Sequence, residues 1–143
     1  MRTNQIQGII FTRKDQDIYY LLLKRNEQKG GFWQPITGGI EDDENPNEAI
    51  LRELEEELSL SSNYQLIDIN YQFDFLLENG NKLTEYVFGI EIPEKIDVIL
   101  SNEHVDSKWV SKNEALKLLK WKSNKKALTK LEEYIMKENR KYA

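Results

Sequence analysis

The stretch that decides the fold lies at residues 38–60 and reads GGIEDDENPNEAILRELEEELSL. Its middle carries the signals of a helix start: Asn45 is a good N-cap, Pro46 suits the first helical position, and Glu48 can reach back to the cap. From there the pattern predicts a helix that runs to about Leu58. Its apolar stripe is predicted to consist of Leu51, Leu54 and Leu58. The segment therefore predicts a glycine turn, an acidic loop and an amphipathic helix, in that order.

The chemistry of this helix lies in its glutamates. Glu53, Glu56 and Glu57 stand at positions i, i+3 and i+4, so their carboxylates share one helix face. Three like charges at that spacing repel one another, and a hard divalent cation such as Mg²⁺ relieves the repulsion through the oxygen ligands that it prefers. Glu55 points to solvent, and Arg52 is an ion-pair partner that can fix a glutamate or a backbone carbonyl. The alternative is a solvated acidic face, but the run has no lysine to balance the glutamates at i+4.

The rest of the chain predicts strands around this helix. Two apolar runs, Gln7–Phe11 and Ile18–Leu23, are separated by a polar turn and predict a β-hairpin. Further elements are predicted as strands at Tyr64–Leu76, Glu85–Ile92 and Lys108–Val110 and as helices from Ser111 to about Lys120 and over Asn124–Lys137. Strands and helices do not alternate regularly. The pattern therefore predicts an α+β fold, an α/β/α sandwich around a mixed sheet, and a single domain over residues 1–143.

The composition narrows the classes of function. The chain has 143 residues, of which 39% are hydrophobic and 31% charged, and this is typical of a globular domain. The absence of cysteine excludes disulfides, thiolate metal ligands and cysteine nucleophiles. The N-terminal residues resemble neither a signal peptide nor a membrane span, so we expect a cytoplasmic protein without a membrane partner.

Charge is distributed unevenly along the chain. Residues 30–81 carry twelve acidic side chains and one basic side chain, Arg52. Such a segment repels the phosphates of a nucleic acid, so we expect no nucleic-acid partner, and it suits a site that collects divalent cations. Residues 108–143 carry eleven basic and four acidic side chains. Those basic residues either form the solvated faces of terminal helices or lend positive potential to an anionic substrate.

The order of residues in the deciding stretch resembles the Nudix box. The matching string is Gly38-x5-Glu44-x7-Arg52-Glu53-Leu54-x-Glu56-Glu57-x-Ser59-Leu60. It fits the family pattern except at Ser59, where most members carry glycine because the helix ends in a left-handed conformation that costs serine about 1 kcal/mol. Further segments resemble the dihydroneopterin triphosphate pyrophosphohydrolase branch of the family: Phe32–Gly38, Glu103-His104, Trp109-Val110 and Trp121–Asn124.

This resemblance implies a Nudix fold in which the box forms a catalytic loop-helix-loop. It implies that Glu53, Glu56 and Glu57 bind the metal, which is Mg²⁺ with Mn²⁺ as a substitute, and that Arg52 belongs to the catalytic set. Glu103 would add a metal ligand or act as the general base, although the sequence alone makes it an exposed loop acid. The identity of the general base stays open among Glu56, Glu57 and Glu103.

Other residues are candidates for holding the substrate. Lys24 and Arg25, at the end of the second strand, either pair with phosphate oxygens or form an ordinary charged strand end. Trp33 is either a stacking platform for a flat ring or a core tryptophan, and Gln34 beside it can read a ring edge. The remaining candidates are two turn glycines and a second aromatic residue: Gly38, Gly39 and Tyr86. Three phenylalanines are predicted to lie in the core: Phe73, Phe75 and Phe88.

The box and the resemblance together imply Mg²⁺-dependent hydrolysis of a triphosphate that bears a flat heterocycle, with a monophosphate and pyrophosphate as products. Dihydroneopterin triphosphate is the first candidate, and a dNTP such as dATP is the second. Water would attack phosphorus and a glutamate would take its proton. The alternatives are a dinucleoside polyphosphate or ADP-ribose pyrophosphatase and, outside catalysis, a silent Nudix-fold binding module. We expect a small-molecule partner alone, and a monomer or homodimer.

Overall fold

The computed structural model describes residues 4–141, over which the chain forms seven strands and three α-helices. The strands are β1 (Gln5–Lys14), β2 (Asp17–Arg25), β3 (Trp33–Gln34), β4 (Ile36–Gly39), β5 (Gln65–Leu76), β6 (Lys82–Glu91) and β7 (His104–Val110). The helices are α1 (Pro46–Leu58), α2 (Lys112–Leu118) and α3 (Lys122–Lys141). Within this range, every helix is too short or too polar to span a membrane.

The strands form one mixed sheet with β1 at its centre. The main path runs β3-β2-β1-β6-β5, while β4 pairs with the first half of β1 and β7 pairs with β2. Strands β1 and β6 are parallel, and the other pairs are antiparallel. The predicted hairpin is confirmed, with Ile10 of β1 opposite Leu21 of β2. The mixed topology agrees with the irregular order of elements in the sequence.

Helices cover both faces of this sheet, because successive side chains of a strand point to opposite sides. Ile10 of β1 belongs to one buried core together with Ile50 and Leu54 of α1. Its neighbour Phe11 belongs to the core on the other face, together with Leu131 of α3. The predicted α/β/α sandwich is therefore confirmed.

Helix α1 begins as predicted. The Asn45 side chain accepts a hydrogen bond from the backbone N–H of Glu48, and the Glu48 carboxylate accepts one from the backbone N–H of Asn45. The positions that α1 buries are Ala49, Ile50, Glu53, Leu54 and Leu58. Leu51 is 42% exposed, so its place in the predicted apolar stripe was wrong. It lies about 100° around the helix from Ile50, at the rim of the buried face.

Some boundaries and core assignments also differ from the predictions. Strand β6 begins at Lys82 and strand β7 at His104, both earlier than predicted, and α3 begins at Lys122. Phe88 is buried as predicted, but Phe75 is 36% exposed and was wrongly placed in the core. The reason is that Phe75 lies on β5, an edge strand of the sheet.

Candidate active site

Arg52 organises the loop before α1. Its guanidinium donates to Glu44 at 2.6 and 2.9 Å and to the carbonyl oxygen of Gly39 at 2.9 Å. It also donates to Glu53 at 2.8 Å and to Glu56 at 3.2 Å. The prediction that Arg52 fixes a glutamate or a backbone carbonyl is thus confirmed on both counts. The hydrogen bond from Arg52 lowers the pKa of Glu44, so this acid stays ionised and ties the acidic loop to the helix.

The side chain of Glu53 packs directly against Gly38 of β4. It is 8% exposed, and a Cβ added to Gly38 would lie 2.3 Å from its Cδ atom. Only glycine lets β4 approach the carboxylate this closely. Burial raises the pKa of Glu53 to about 7, and the neighbouring charges of Glu57 and Glu56 add to the rise while Arg52 opposes it. The carboxylates of α1 are therefore close enough to repel one another, as their spacing predicts.

The segment before β7 forms hydrogen bonds with Glu57. The Ser101 hydroxyl donates to Glu57 Oε2, and the Ser101 backbone N–H donates to the Glu57 carbonyl oxygen at 3.0 Å. His104 Nδ1 lies 3.4 Å from the same carboxylate, and His104 Nε2 lies 3.4 Å from Gln34 Nε2. Burial lowers the pKa of His104, so the imidazole is neutral at pH 7. Gln34, His104 and Glu57 are thus neighbours, but His104 Nδ1 is buried and makes no hydrogen bond among the described residues.

Glu103 is not part of this group of neighbours. Its carboxylate pairs with Lys29 at 3.3 Å, and it is half-exposed in the loop directly before β7, as predicted. Across residues 4–141, no three acidic, histidine or cysteine side chains gather in a metal-ligating group. The three carboxylates of α1 nevertheless suit a hard cation, because they are oxygen donors that share one helix face. Their role as metal ligands, with Glu103, stays a prediction.

A cavity of about 640 Å³ opens on the α3 side of the sheet. Of the predicted substrate residues, it is lined by Arg25 and Gln34. Four aromatic residues line it: Phe32, Phe73, Phe75 and Trp121. The rings of Phe32 and Trp121 meet edge to face with centroids 5.8 Å apart. This is enough room for a two-ring heterocycle with part of its side chain.

The other predicted substrate residues lie elsewhere. Trp33 packs against the α3-side core and bridges to Leu119, which matches the interpretation of a core tryptophan. Lys24 is opposite Trp33 on β2 and does not line the cavity. Tyr86 packs with the α1-side core. A second depression of about 710 Å³, near Arg13, contains none of the predicted site residues.

Several polar residues of the cavity did not emerge from the sequence. Gln5 and Glu85 line it, and so does Asn124 at the start of α3. All three are at least 92% buried, since their exposures are 8%, 4% and 5%. The sequence carried only a weak signal for them. Gln5 and Gln7 alternate along β1 in the same register as Ile9 and Phe11, so they lie on the face of the strand that points to the α3-side core. Polar residues on an inward face of a strand depart from the apolar pattern of a core, and such departures are expected at functional sites.

Comparisons with known proteins agree with this fold. Residues 2–131 match the family model described as NUDIX domain. The dihydroneopterin triphosphate diphosphatase of Haemophilus influenzae is 29% identical over 142 residues, covering 91% of this chain and 89% of that protein. An octanoyltransferase of Myxococcus xanthus is 38% identical over 102 residues, but the match spans 69% of this chain and only 28% of that protein. The solved structure of the Escherichia coli dihydroneopterin triphosphate pyrophosphohydrolase superposes with a TM-score of 0.76 at 26% identity, covering 87% of this chain and 90% of that one.

Proposed function

Because the chain belongs to the NUDIX domain family of pyrophosphate-cleaving hydrolases, we propose that it releases pyrophosphate from a triphosphate that carries a flat heterocycle. Dihydroneopterin triphosphate is the first candidate and a dNTP the second. The observation that carries the proposal is the proximity of three side chains: Gln34, in the wall of the cavity, lies 3.4 Å from His104, and His104 lies 3.4 Å from Glu57 on the acidic helix. This proximity supports a substrate that extends from the cavity toward the carboxylates of α1. The choice of substrate is supported by the relatives from Haemophilus influenzae and Escherichia coli, which are named as enzymes that act on dihydroneopterin triphosphate.

In this proposal the ring lies in the cavity and the phosphates extend toward α1. Phe32 and Trp121 offer their ring edges and faces to the heterocycle. Arg25 lines the same cavity, and its buried Nε atom has no hydrogen-bond acceptor in the protein. A buried guanidinium donor without an acceptor is unfavourable, and a phosphate oxygen is the acceptor that it fits best. Arg25 therefore anchors the phosphate chain.

The acidic face of α1 supplies the chemistry. Glu53, Glu56 and Glu57 would hold a divalent cation, which when bound neutralises charge on the phosphate oxygens. Arg52 fixes the directions of Glu53 and Glu56, and Ser101 fixes that of Glu57. Water attacks phosphorus, the anhydride linkage between the α and β phosphates breaks to release a monophosphate and pyrophosphate, and a nearby carboxylate accepts the proton of the water. Orientation of these side chains before the substrate arrives avoids the cost of arranging them during the reaction.

A panel assay with two matched variants tests the proposal. Dihydroneopterin triphosphate, the dNTPs, ADP-ribose and a diadenosine polyphosphate are each incubated with Mg²⁺, and pyrophosphate and phosphate are measured separately. Glu57→Gln removes one charge from the proposed metal face, whereas Glu55→Gln removes one from the exposed side of the same helix. We expect pyrophosphate from a triphosphate, a loss of at least about 10²-fold with Glu57→Gln and little change with Glu55→Gln.

The other outcomes of this panel are equally informative. Cleavage of ADP-ribose or of the diadenosine compound in preference to every triphosphate would replace the proposed substrate and leave the hydrolase assignment in place. A thermal scan measures metal binding without turnover: at about 100 times its Kd, Mg²⁺ stabilises the fold by about 2.7 kcal/mol. We expect this shift for the wild type and for Glu55→Gln, and a smaller one for Glu57→Gln. No turnover together with no Mg²⁺ shift would indicate a silent binding module.

A further inference from the structure

The cavity has two aromatic walls that come from opposite edges of the sheet. The first wall consists of Phe32, directly before β3, and Trp121, directly before α3. The second wall consists of Phe73 and Phe75, which both belong to β5. Strands β3 and β5 are the two ends of the main path of the sheet. The cavity therefore runs across the strands that lie between them.

The cavity floor between these walls is polar, but its groups are hydrogen-bonded to one another. Gln5 of β1 and Glu85 of β6 line the floor and are paired in register. The amide nitrogens of Gln5 and Gln7 donate to the two oxygens of the Glu85 carboxylate. Because the floor makes these hydrogen bonds within the protein, a ligand in the cavity meets chiefly the aromatic walls.

Both walls expose aromatic surface in the free protein. Phe75 is 36% exposed and Trp121 is 47% exposed, whereas Phe88 in the α1-side core is 2% exposed. Contact between water and large apolar side chains is unfavourable, and apolar surface gathered in one place commonly marks a ligand-binding groove. A ligand that covers Phe75 explains why this residue lies outside the core in which the sequence placed it.

Contacts within each wall hold its rings in place before a ligand arrives. Lys120 Nζ lies 4.8 Å from the centroid of the Trp121 ring and 5.5 Å from that of the Phe32 ring, and these two rings meet edge to face. In the second wall the ring centroids of Phe73 and Phe75 are 6.1 Å apart. Such contacts favour particular ring orientations. A flat ligand would therefore meet surfaces that need little rearrangement, which lowers the cost of binding.

We propose that Phe73 and Phe75 are the second half of an aromatic clamp, which holds the heterocycle of the substrate between them and the Phe32–Trp121 pair. The hydrophobic effect and dispersion both grow with the area in contact, so the clamp favours a fused two-ring system over a single ring. It narrows the substrate class to pterin and purine triphosphates. The inference rests on the proposed function for the phosphate end of the substrate, whereas the clamp itself requires only the ring.

The first test measures ring binding without phosphate and without metal. Calorimetry with neopterin, deoxyguanosine and deoxycytidine reports on the cavity alone. Phe75→Ala is expected to weaken the binding of neopterin and deoxyguanosine by about 5- to 100-fold, the contribution of one base–aromatic stack. Leu76→Ala is the matched control, because Leu76 is 76% exposed on the same strand but does not line the cavity. Equal affinity of Phe75→Ala and the wild type, or no binding of either two-ring compound to the wild type, would overturn the inference.

Two conservative variants separate stacking from simple packing. Phe75→Tyr keeps an aromatic ring and should bind neopterin within about threefold of the wild type, whereas Phe75→Leu keeps apolar volume without a flat face and should bind at least about fivefold more weakly. A melting curve of each variant shows whether it folds. Wild-type affinity in Phe75→Leu would show that any apolar side chain suffices, and the clamp would then be rejected.

Turnover of the four dNTPs with Mg²⁺ separates this inference from the proposed function. The wild type is expected to have a kcat/KM for dGTP and dATP at least about tenfold above that for dCTP and dTTP, and Phe75→Ala should reduce this ratio. Equal turnover of all four, or a ratio that Phe75→Ala leaves unchanged, would overturn the inference and leave the hydrolase assignment intact. Conversely, ring binding that depends on Phe75, without cleavage of any triphosphate, would support the clamp and refute the proposed function.

Discussion

Replacement of Gly38 with alanine should damage catalysis far more than folding. The added Cβ atom would lie 2.3 Å from Cδ and 2.5 Å from Oε1 of Glu53, whereas ordinary contacts begin at 3.4 Å. Glu53 must therefore retreat by about 1.1 Å, the difference between 3.4 and 2.3 Å. Its 2.8 Å ion pair with Arg52 is then broken or redirected. Because a misplacement of about 1 Å at a catalytic centre costs about 10²-fold in rate, we expect a loss of that order in kcat/KM.

The expected effect on stability is smaller. The clash involves only the end of one side chain, so the cost falls within the roughly 1–3 kcal/mol that is typical of overpacking. Gly39→Ala is the matched comparator, because a Cβ at Gly39 meets nothing within 4 Å. Neither glycine has a positive φ, so alanine strains the backbone at neither position. Any excess loss in Gly38→Ala over Gly39→Ala therefore reports on Glu53.

The assay is steady-state hydrolysis of the best substrate of the panel with saturating Mg²⁺, combined with a melting curve. We expect Gly39→Ala to lose less than about tenfold in kcat/KM and Gly38→Ala to lose about ten times more than that. If both folded variants lose activity equally, the backbone of the turn matters and the position of Glu53 does not. If Gly38→Ala keeps wild-type activity, the reasoning about Glu53 is wrong.

Three further predictions concern stability and are checked by chemical denaturation. Ser59→Gly should stabilise the protein by about 1 kcal/mol, because Ser59 ends α1 at φ 53 and ψ 35, where a side chain is strained; destabilisation would show that the serine side chain has a compensating role. Because Arg52 lowers the pKa of Glu44, the stability that this acid contributes is present at neutral pH and is lost as pH falls below about 5. The wild type and Glu44→Gln should therefore differ at pH 7 and converge once the pH has fallen through the lowered pKa of Glu44, and a constant difference would contradict the assignment. Leu54→Ala should cost about 2.7–5 kcal/mol, since Leu54 is fully buried, whereas Leu51→Ala at the exposed rim should cost less than about 1 kcal/mol; similar costs would place Leu51 back in the core.

The parts of the molecule that were predictable are those with local causes. The capping box of α1 and the ion pairs of Arg52 involve residues within one loop and one helix, so spacing alone indicates them. The error at Leu51 has a geometric origin. The sequence pattern defines an apolar stripe on the helix, but the packing of the helix on the sheet determines which edge of that stripe is buried. Here the buried edge contains Ala49 and Ile50, and Leu51 lies outside it.

The cavity floor was not predictable for the opposite reason. Gln5 and Glu85 are separated by 80 residues and meet only because β1 and β6 pair in parallel. A parallel pairing leaves no local signal such as a tight turn. The same applies to Asn124, which reaches Gln7 across 117 residues. By contrast, the resemblance to the Nudix box did indicate the family, which the match over residues 2–131 shows.

The pairing of β1 with β4 has a consequence for how such a molecule changes over time. Gly38, which accommodates Glu53, stands opposite Ile6, whereas Thr37 stands opposite Gln7 on the cavity side. Under the proposed function, the even-numbered positions of β1 thus face the side of the reaction and the odd-numbered positions face the side of the ring. Mutations at the odd positions can alter the ligand while the carboxylates of α1 keep their surroundings. A lineage built on this scaffold can explore new substrates one side chain at a time without first losing its chemistry.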